Sequence, residues 1–271
     1  WSLNTFGWRH TALGTGVLVL VLGLPLSQLI RRRPEDYGLA PDGRQRVTAV
    51  EAGRSAASPS RRERGDSVVD FTAREALRTP AFWYIGLGHS FALLVVSAVN
   101  VHMIAHLVKR LNISLELAST MMSLMIAFSI VGQVGGGLVG DRLEKRYVAA
   151  VAMVGHVLGV LALAFASSLV WVLAFAALHG LAWGVRGPLM SAIRADYFGR
   201  SSLGAIMGLS SLVIVLGTVT GPLLAGFLAD VTGDYRAGFI TLAGLASLAT
   251  IFFLLARRPA PPRRAGAMPD G

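Results

Sequence analysis

The sequence contains no cysteine, few charged residues and only two lysines. Without cysteine, disulfide bonds and thiolate-ligated metal sites are excluded. Charged residues make up 15% of the 271 residues, whereas soluble domains carry about 25%. The two lysines, Lys109 and Lys145, lie between apolar runs, which excludes a retinal Schiff base on a lysine of the last helix. The shortage of charge argues against an ordinary soluble domain.

The sequence has seven long apolar runs instead. About 20 apolar residues cross the hydrocarbon core of a membrane as a helix, so each run predicts one membrane span. The predicted spans are Thr11–Ile30, Pro80–Leu107, Leu115–Val139, Tyr147–Ser167, Leu169–Met190, Leu203–Ala229 and Ala237–Ala256. The predicted fold class is therefore an all-α integral membrane protein with seven transmembrane helices.

The basic residues are distributed unequally between the two sides of these spans. When the spans alternate in direction, 20 of the 25 Lys and Arg residues fall on the side of the long loop 31–79, and four fall on the other. The positive-inside rule then places that loop and the C-terminus in the cytoplasm. The net charge of +10 reflects this topology, so no nucleic-acid partner is expected. The lipid bilayer of the cell inner (plasma) membrane is the expected surrounding.

The long loop divides the chain into two membrane units. Residues 31–79 are rich in Arg, Ser, Ala and Pro and lack an apolar period, as a flexible linker does. Near its end, Thr72 and Glu75 have the spacing of a capping box, which predicts a short amphipathic helix. Pro80 then suits the first turn of the next span. Residues 80–257 form a predicted six-helix bundle, the layout of one half of a two-domain transporter, and 258–271 form a cytoplasmic tail.

The loop between the third and fourth spans carries a recognisable motif. The segment GLVGDRLEKR matches at Gly137, Asp141, Arg142, Lys145 and Arg146 the cytoplasmic signature Gly-x-x-x-Asp-Arg/Lys-x-Gly-Arg/Lys-Arg/Lys. The chain thereby resembles the major facilitator superfamily. Glu144 departs from the pattern, because the signature has glycine there.

Two further stretches resemble one branch of that superfamily, which holds oxalate/formate antiporter-like and monocarboxylate transporters. These are RRRPEDYGLAPDG at Arg31–Gly43, and the pair Arg194–Arg200 and Gly221–Tyr235. The resemblance implies a twelve-helix fold in which residues 1–30 are the sixth helix, the last of an incomplete N-terminal bundle. The missing N-terminal half would then be a partner of the six-helix bundle.

Arg186 lies inside the run Leu169–Met190, where a guanidinium costs at least about 2.5 kcal/mol on insertion scales. His179 and Trp183 share its helical face at a spacing of i, i+4 and i+7. Arginine offers a bidentate fork to a carboxylate, so we predict that Arg186, Trp183 and His179 contact an organic anion. The alternative is that Arg186 extends to the cytoplasmic interface.

Three polar residues of the second and third spans are predicted as further substrate contacts. His89 and Asn100 share one face of the second span, and Gln133 is a lone amide in the third. By the resemblance, the second span and the Arg186 span line the central cavity. His89 is also suited to carry a proton. The alternatives are a packing role for His89 and an interhelical hydrogen bond for Gln133.

Asp141 ends the third span at the cytoplasmic side. A carboxylate there can pair with a neighbouring helix N-terminus or a basic side chain in one conformation only. The resemblance implies such a gating role for Gly137, Asp141, Arg142, Lys145 and Arg146. The alternative is that the basic residues only anchor the loop on the inner side.

The sequence therefore favours a secondary transporter that moves a small organic anion, a mono- or dicarboxylate, by alternating access. The anion would be exchanged for another or carried with a proton. The alternative is a heptahelical receptor or sensor without transport activity. An enzyme is not expected, because no catalytic constellation, metal-ligand cluster or cofactor motif occurs within the spans.

Overall fold

The computed structural model describes residues 2–29 and 70–262. Every regular element in these ranges is a helix. In chain order they are α1 (Ser2–Leu29), α2 (Ala73–Leu77), α3 (Pro80–Leu111), α4 (Leu115–Gly140), α5 (Lys145–Ala164), α6 (Leu169–Phe198), α7 (Leu203–Thr232) and α8 (Tyr235–Leu255). All except α2 are long and apolar enough to cross a membrane, which confirms the predicted seven spans and the all-α class. The Arg31–Gly43 motif, most of the predicted linker and the end of the tail lie outside the described residues.

Helix α1 belongs to the first of two compact units, which covers Trp1–Asp66. Its backbone breaks at Gly7, where φ is 71° and ψ is 164°, a conformation that only glycine adopts easily. From residue 5 to 28 its side chains are exposed except for Thr11, which is half-buried. A helix that is apolar on all faces needs lipid or other helices around it.

The second unit, Ser67–Gly271, contains the other six long helices. In chain order they form two groups of three, α3–α5 and α6–α8. Helix α3 packs against α7 and α8, whereas α6 packs against α4 and α5. Helices α5 and α8 also contact each other. The first helix of each group therefore packs mainly on the second and third helices of the other group, as expected for two structural repeats.

Glycine permits the close approach of the two main helix pairs. A Cβ added at Gly132 or Gly136 of α4 would meet the backbone of α6, and one added at Gly184 of α6 would meet the backbone of α4. Gly217 and Gly221 of α7 lie in the same way against the backbone of α3. Small residues of this kind allow helix backbones to approach closely inside a membrane.

Helices α3, α5 and α7 begin, and α4, α6 and α8 end, at one face of this unit, which we call the linker face. The predicted capping box is present there, because the Thr72 N–H donates to Glu75 Oε2 at 2.8 Å and the Glu75 N–H donates to Thr72 Oγ1 at 3.3 Å. Pro80 occupies the first turn of α3, as predicted. The Phe71 N–H donates to the Phe198 carbonyl at 2.8 Å, so α2 is fixed to the end of α6.

Candidate functional site

Arg186 lies in the interior of the six-helix unit, on α6. Its side chain is 1% exposed. Its Nε and one terminal nitrogen have no hydrogen-bond partner within residues 2–29 and 70–262. No carboxylate of these ranges forms an ion pair with it. The Arg186 side chain is therefore enclosed by the helices and does not extend to the surface of the unit.

Arg194 is a second buried arginine on the same helix, and the sequence interpretation placed it in a loop. Helix α6 continues to Phe198, about two turns beyond the predicted end at Met190. The side chain is 2% exposed. Its Nε donates to Ser210 Oγ of α7 at 3.3 Å, and one terminal nitrogen donates to the Met190 carbonyl at 2.6 Å. The other terminal nitrogen has no partner in the described part of the chain.

His89 of α3 lies near both arginines. It is half-buried, and it is close enough to Arg186 and Arg194 to interact electrostatically with each. Its Nδ1 is buried without a hydrogen-bond partner among the described residues. We call these three residues, Arg186, Arg194 and His89, the buried cationic cluster. The two arginines carry its charge.

His179 is buried between α5 and α6 and contacts His156. Their Nδ1 atoms are 3.1 Å apart, so one ring donates and the other accepts. His179 also stacks on Phe175, with ring centroids 5.2 Å apart. Both imidazoles interact electrostatically with Arg186. The sequence interpretation gave His156 no role, and only the packing of α5 on α6 shows the pair.

The remaining predicted substrate contacts lie at other depths of the unit. Trp183 is half-buried against the apolar core. Asn100 and Gln133 are exposed, and Asn100 lies about 16 Å from His89 along the axis of α3 at 1.5 Å per residue. The structure thus brings Arg186, His179 and His89 together and places Asn100 and Gln133 on the surface of the six-helix unit.

The signature loop connects α4 to α5 at the linker face. Asp141 caps the end of α4, where its N–H donates to the Gly137 carbonyl at 3.1 Å. Lys145 Nζ pairs with Asp196 Oδ2 of α6 at 2.7 Å. Arg146 Nε pairs at 2.8 Å with Glu144, the residue that departs from the signature. The Lys145–Asp196 pair joins two of the sequence motifs, and the sequence interpretation did not foresee it.

Within residues 2–29 and 70–262, no group of three or more His, Asp or Glu side chains is placed to hold a metal ion.

The chain is similar to known membrane proteins. The family model described as "Major Facilitator Superfamily" matches residues 85–270. Monocarboxylate transporter 12-B of Danio rerio is 27% identical over 93% of this chain and 54% of its own length. Membrane sensor protein UhpC of Salmonella typhimurium is 26% identical over 94% of this chain and 58% of its own length. The chain thus spans somewhat more than half the length of these two relatives.

A solved structure shares the fold. It is a crystal structure of the peptide transporter POT, an E310Q mutant in complex with alafosfalin, with a TM-score of 0.54 and 20% identity. The match covers 65% of this chain and 37% of the other.

Proposed function

The chain belongs to the Major Facilitator Superfamily, and on that premise we propose that it is part of a secondary transporter for a small organic anion. The anion is a mono- or dicarboxylate, moved by alternating access, in which one six-helix half rocks against another around a central site. The observation that carries the proposal is Arg186, which is 1% exposed and has no carboxylate partner among the described residues.

The energetics of burial support an anionic ligand at Arg186. Taking a charged group out of water costs several kcal/mol in real proteins unless another charge compensates it. Arginine does not escape this cost by losing its proton. A carboxylate beside the guanidinium would accept charge-assisted hydrogen bonds from it, which are roughly twice as strong as neutral ones.

The other predicted contacts have distinct places in the proposal. His89 and His179 interact electrostatically with Arg186 and would lie beside the bound anion. Trp183 is half-buried on the same helix. Asn100 and Gln133 are exposed on the six-helix unit and would contact the ligand where it enters or leaves. The proposal includes a second six-helix half, since the chain spans about half of its relatives.

The test measures carboxylate binding by the purified chain and uptake by cells that express the full-length gene. We expect Arg186→Lys to weaken binding of succinate or lactate at least about tenfold, because lysine keeps the charge and loses the bidentate fork. The matched control is Arg200→Lys, which changes an exposed arginine just beyond the same helix. Unchanged binding and uptake in Arg186→Lys would refute the anion site.

A second candidate function is supported by the relative that is named a membrane sensor protein, which covers 94% of this chain. In that case the same site would bind the anion and report its presence without moving it. The two functions differ in uptake. A sensor binds the carboxylate with the same dependence on Arg186, and cells that express the full-length gene accumulate none of it.

A further inference from the structure

The buried cationic cluster contains one more arginine than a single carboxylate needs. Resting on the proposed anion site, we propose that Arg194 is its second cationic ligand and that the site takes a small dianion such as a dicarboxylate. Arg186 and Arg194 are 1% and 2% exposed, and neither can be deprotonated in a protein. A monoanion would compensate only one of the two charges and leave the other buried, whereas a dianion compensates both.

Two acidic side chains at the linker face have other partners. Asp196 pairs with Lys145 at 2.7 Å, and Glu144 pairs with Arg146 at 2.8 Å. Neither carboxylate forms an ion pair with Arg194, although Asp196 is only two residues away on α6. Within the described ranges no carboxylate forms an ion pair with either arginine of the cluster, and we assign the second charge to the ligand.

The spacing of the two arginines along α6 suits a ligand that carries two charges. Arg186 and Arg194 lie eight residues apart on α6, which is about 12 Å along the axis. Arg194 donates to the Met190 carbonyl at 2.6 Å, one turn nearer to Arg186, so its side chain runs back along α6 toward Arg186. His89 on α3 interacts electrostatically with both arginines, and its unpartnered Nδ1 is available to a ligand that bridges them.

A purely structural role does not account for all of Arg194. Its bonds to Ser210 Oγ and the Met190 carbonyl tie α6 to α7 and hold the side chain in place. A structural arginine at this depth would be expected to use its remaining donors as well, because buried polar groups are hydrogen-bonded in native proteins. The second terminal nitrogen of Arg194 has no partner in the part of the chain that the structure describes, and we assign it to the ligand.

The test compares succinate, lactate and inorganic phosphate as ligands of the purified chain, at a pH where succinate is a dianion. Calorimetric titration gives the dissociation constants. We expect succinate to bind at least about tenfold more tightly than lactate, because a second charge-assisted contact is added. Arg194→Gln should remove this preference by weakening succinate binding more than lactate binding, whereas Arg200→Gln, at the exposed control position, should leave both constants unchanged.

The outcomes separate this inference from the proposed function. If lactate binding depends on Arg186 while Arg194→Gln leaves the succinate-to-lactate ratio unchanged, the dianion site is refuted and the anion site stands. If neither carboxylate binds, both are refuted. If phosphate binds more tightly than lactate and loses that advantage in Arg194→Gln, the dianion site is supported and a compact phosphate group is the better ligand.

A separate variant distinguishes ligand binding from folding. Ser210→Ala removes the hydroxyl that accepts from Arg194 Nε and keeps both positive charges. We expect it to lower the thermal unfolding temperature and to retain the preference for succinate. If Arg194→Gln fails to fold, Arg194→Lys keeps the charge without the guanidinium, and an undiminished succinate preference in that variant would refute the assignment of the second terminal nitrogen of Arg194 to the ligand.

Discussion

At the residue scale, the six-helix unit buries an arginine and a pair of histidines away from solvent. Arg186 was predicted to need a ligand or a partner because its burial is costly, and it is 1% exposed. The sequence could not show that His156 pairs with His179, because the two residues lie on different helices and are 23 positions apart. It assigned Asn100 to the site from its helical face and the family resemblance, and with Asn100 exposed on the six-helix unit that assignment stays a prediction.

The His156–His179 pair gives a prediction at the same scale. We expect His179→Leu to destabilise the protein by about 1–3 kcal/mol, because it leaves a buried imidazole nitrogen of His156 without a partner. The double variant His156→Leu/His179→Leu should be less destabilised than the sum of the two single variants, since both polar groups are then gone. Thermal unfolding of the four proteins measures this coupling, and strictly additive losses would contradict it.

At the element scale, the predicted end of α6 falls short of the observed end at Phe198. Its predicted end at Met190 relied on span length and on the polar residues that follow. The helix continues to Phe198 and stops at Gly199, where φ is 80°, a conformation that favours glycine. The stretch between Met190 and Gly199 contains neither proline nor glycine, so the signal for a longer helix was present. Because the predicted span ended at Met190, Arg194 was assigned to a loop and not to the buried face of α6.

The close packing of α4 on α6 gives a prediction at this scale. A Cβ at Gly184 would meet the backbone of Ser129 and Gln133, so Gly184→Ala should cost about 1–3 kcal/mol through overpacking. Gly187→Ala is the matched control on the same helix, because nothing lies within 4 Å of the added Cβ. We expect that control to be neutral or slightly stabilising. Equal thermal unfolding temperatures for the two variants would contradict the packing.

For the whole molecule, composition and the length of the apolar runs were sufficient to predict seven membrane helices. They were not sufficient to predict which helices pack together. Helices that are apolar on several faces leave their partners undefined, and the pairing of α3 with α7 depends on contacts such as Ser90 Oγ to the Val213 carbonyl, 123 positions apart. The two-repeat arrangement therefore emerged only from the three-dimensional packing.

Orientation in the membrane gives a prediction for the whole molecule. The positive-inside rule puts the linker face in the cytoplasm, and the absence of cysteine makes single-cysteine labelling free of background. Ser201→Cys lies at the linker face, and Ser167→Cys lies in the α5–α6 loop at the opposite face; both serines are exposed. We expect an impermeant maleimide added to intact cells to label only Ser167→Cys. Labelling of Ser201→Cys alone would invert the topology.

The interleaving of the two three-helix groups has a consequence for biosynthesis. Helix α3 leaves the ribosome before its main packing partners, α7 and α8, have been synthesised. Helix α4 likewise leaves it before its partner α6. The first group therefore resides in the bilayer with the packing faces of α3 and α4 uncovered until the second group inserts. The α4 face includes Gly132 and Gly136. Since such long-range contacts are slow to form, the half-made bundle would depend on lipid or on a membrane chaperone to shield those faces during translation.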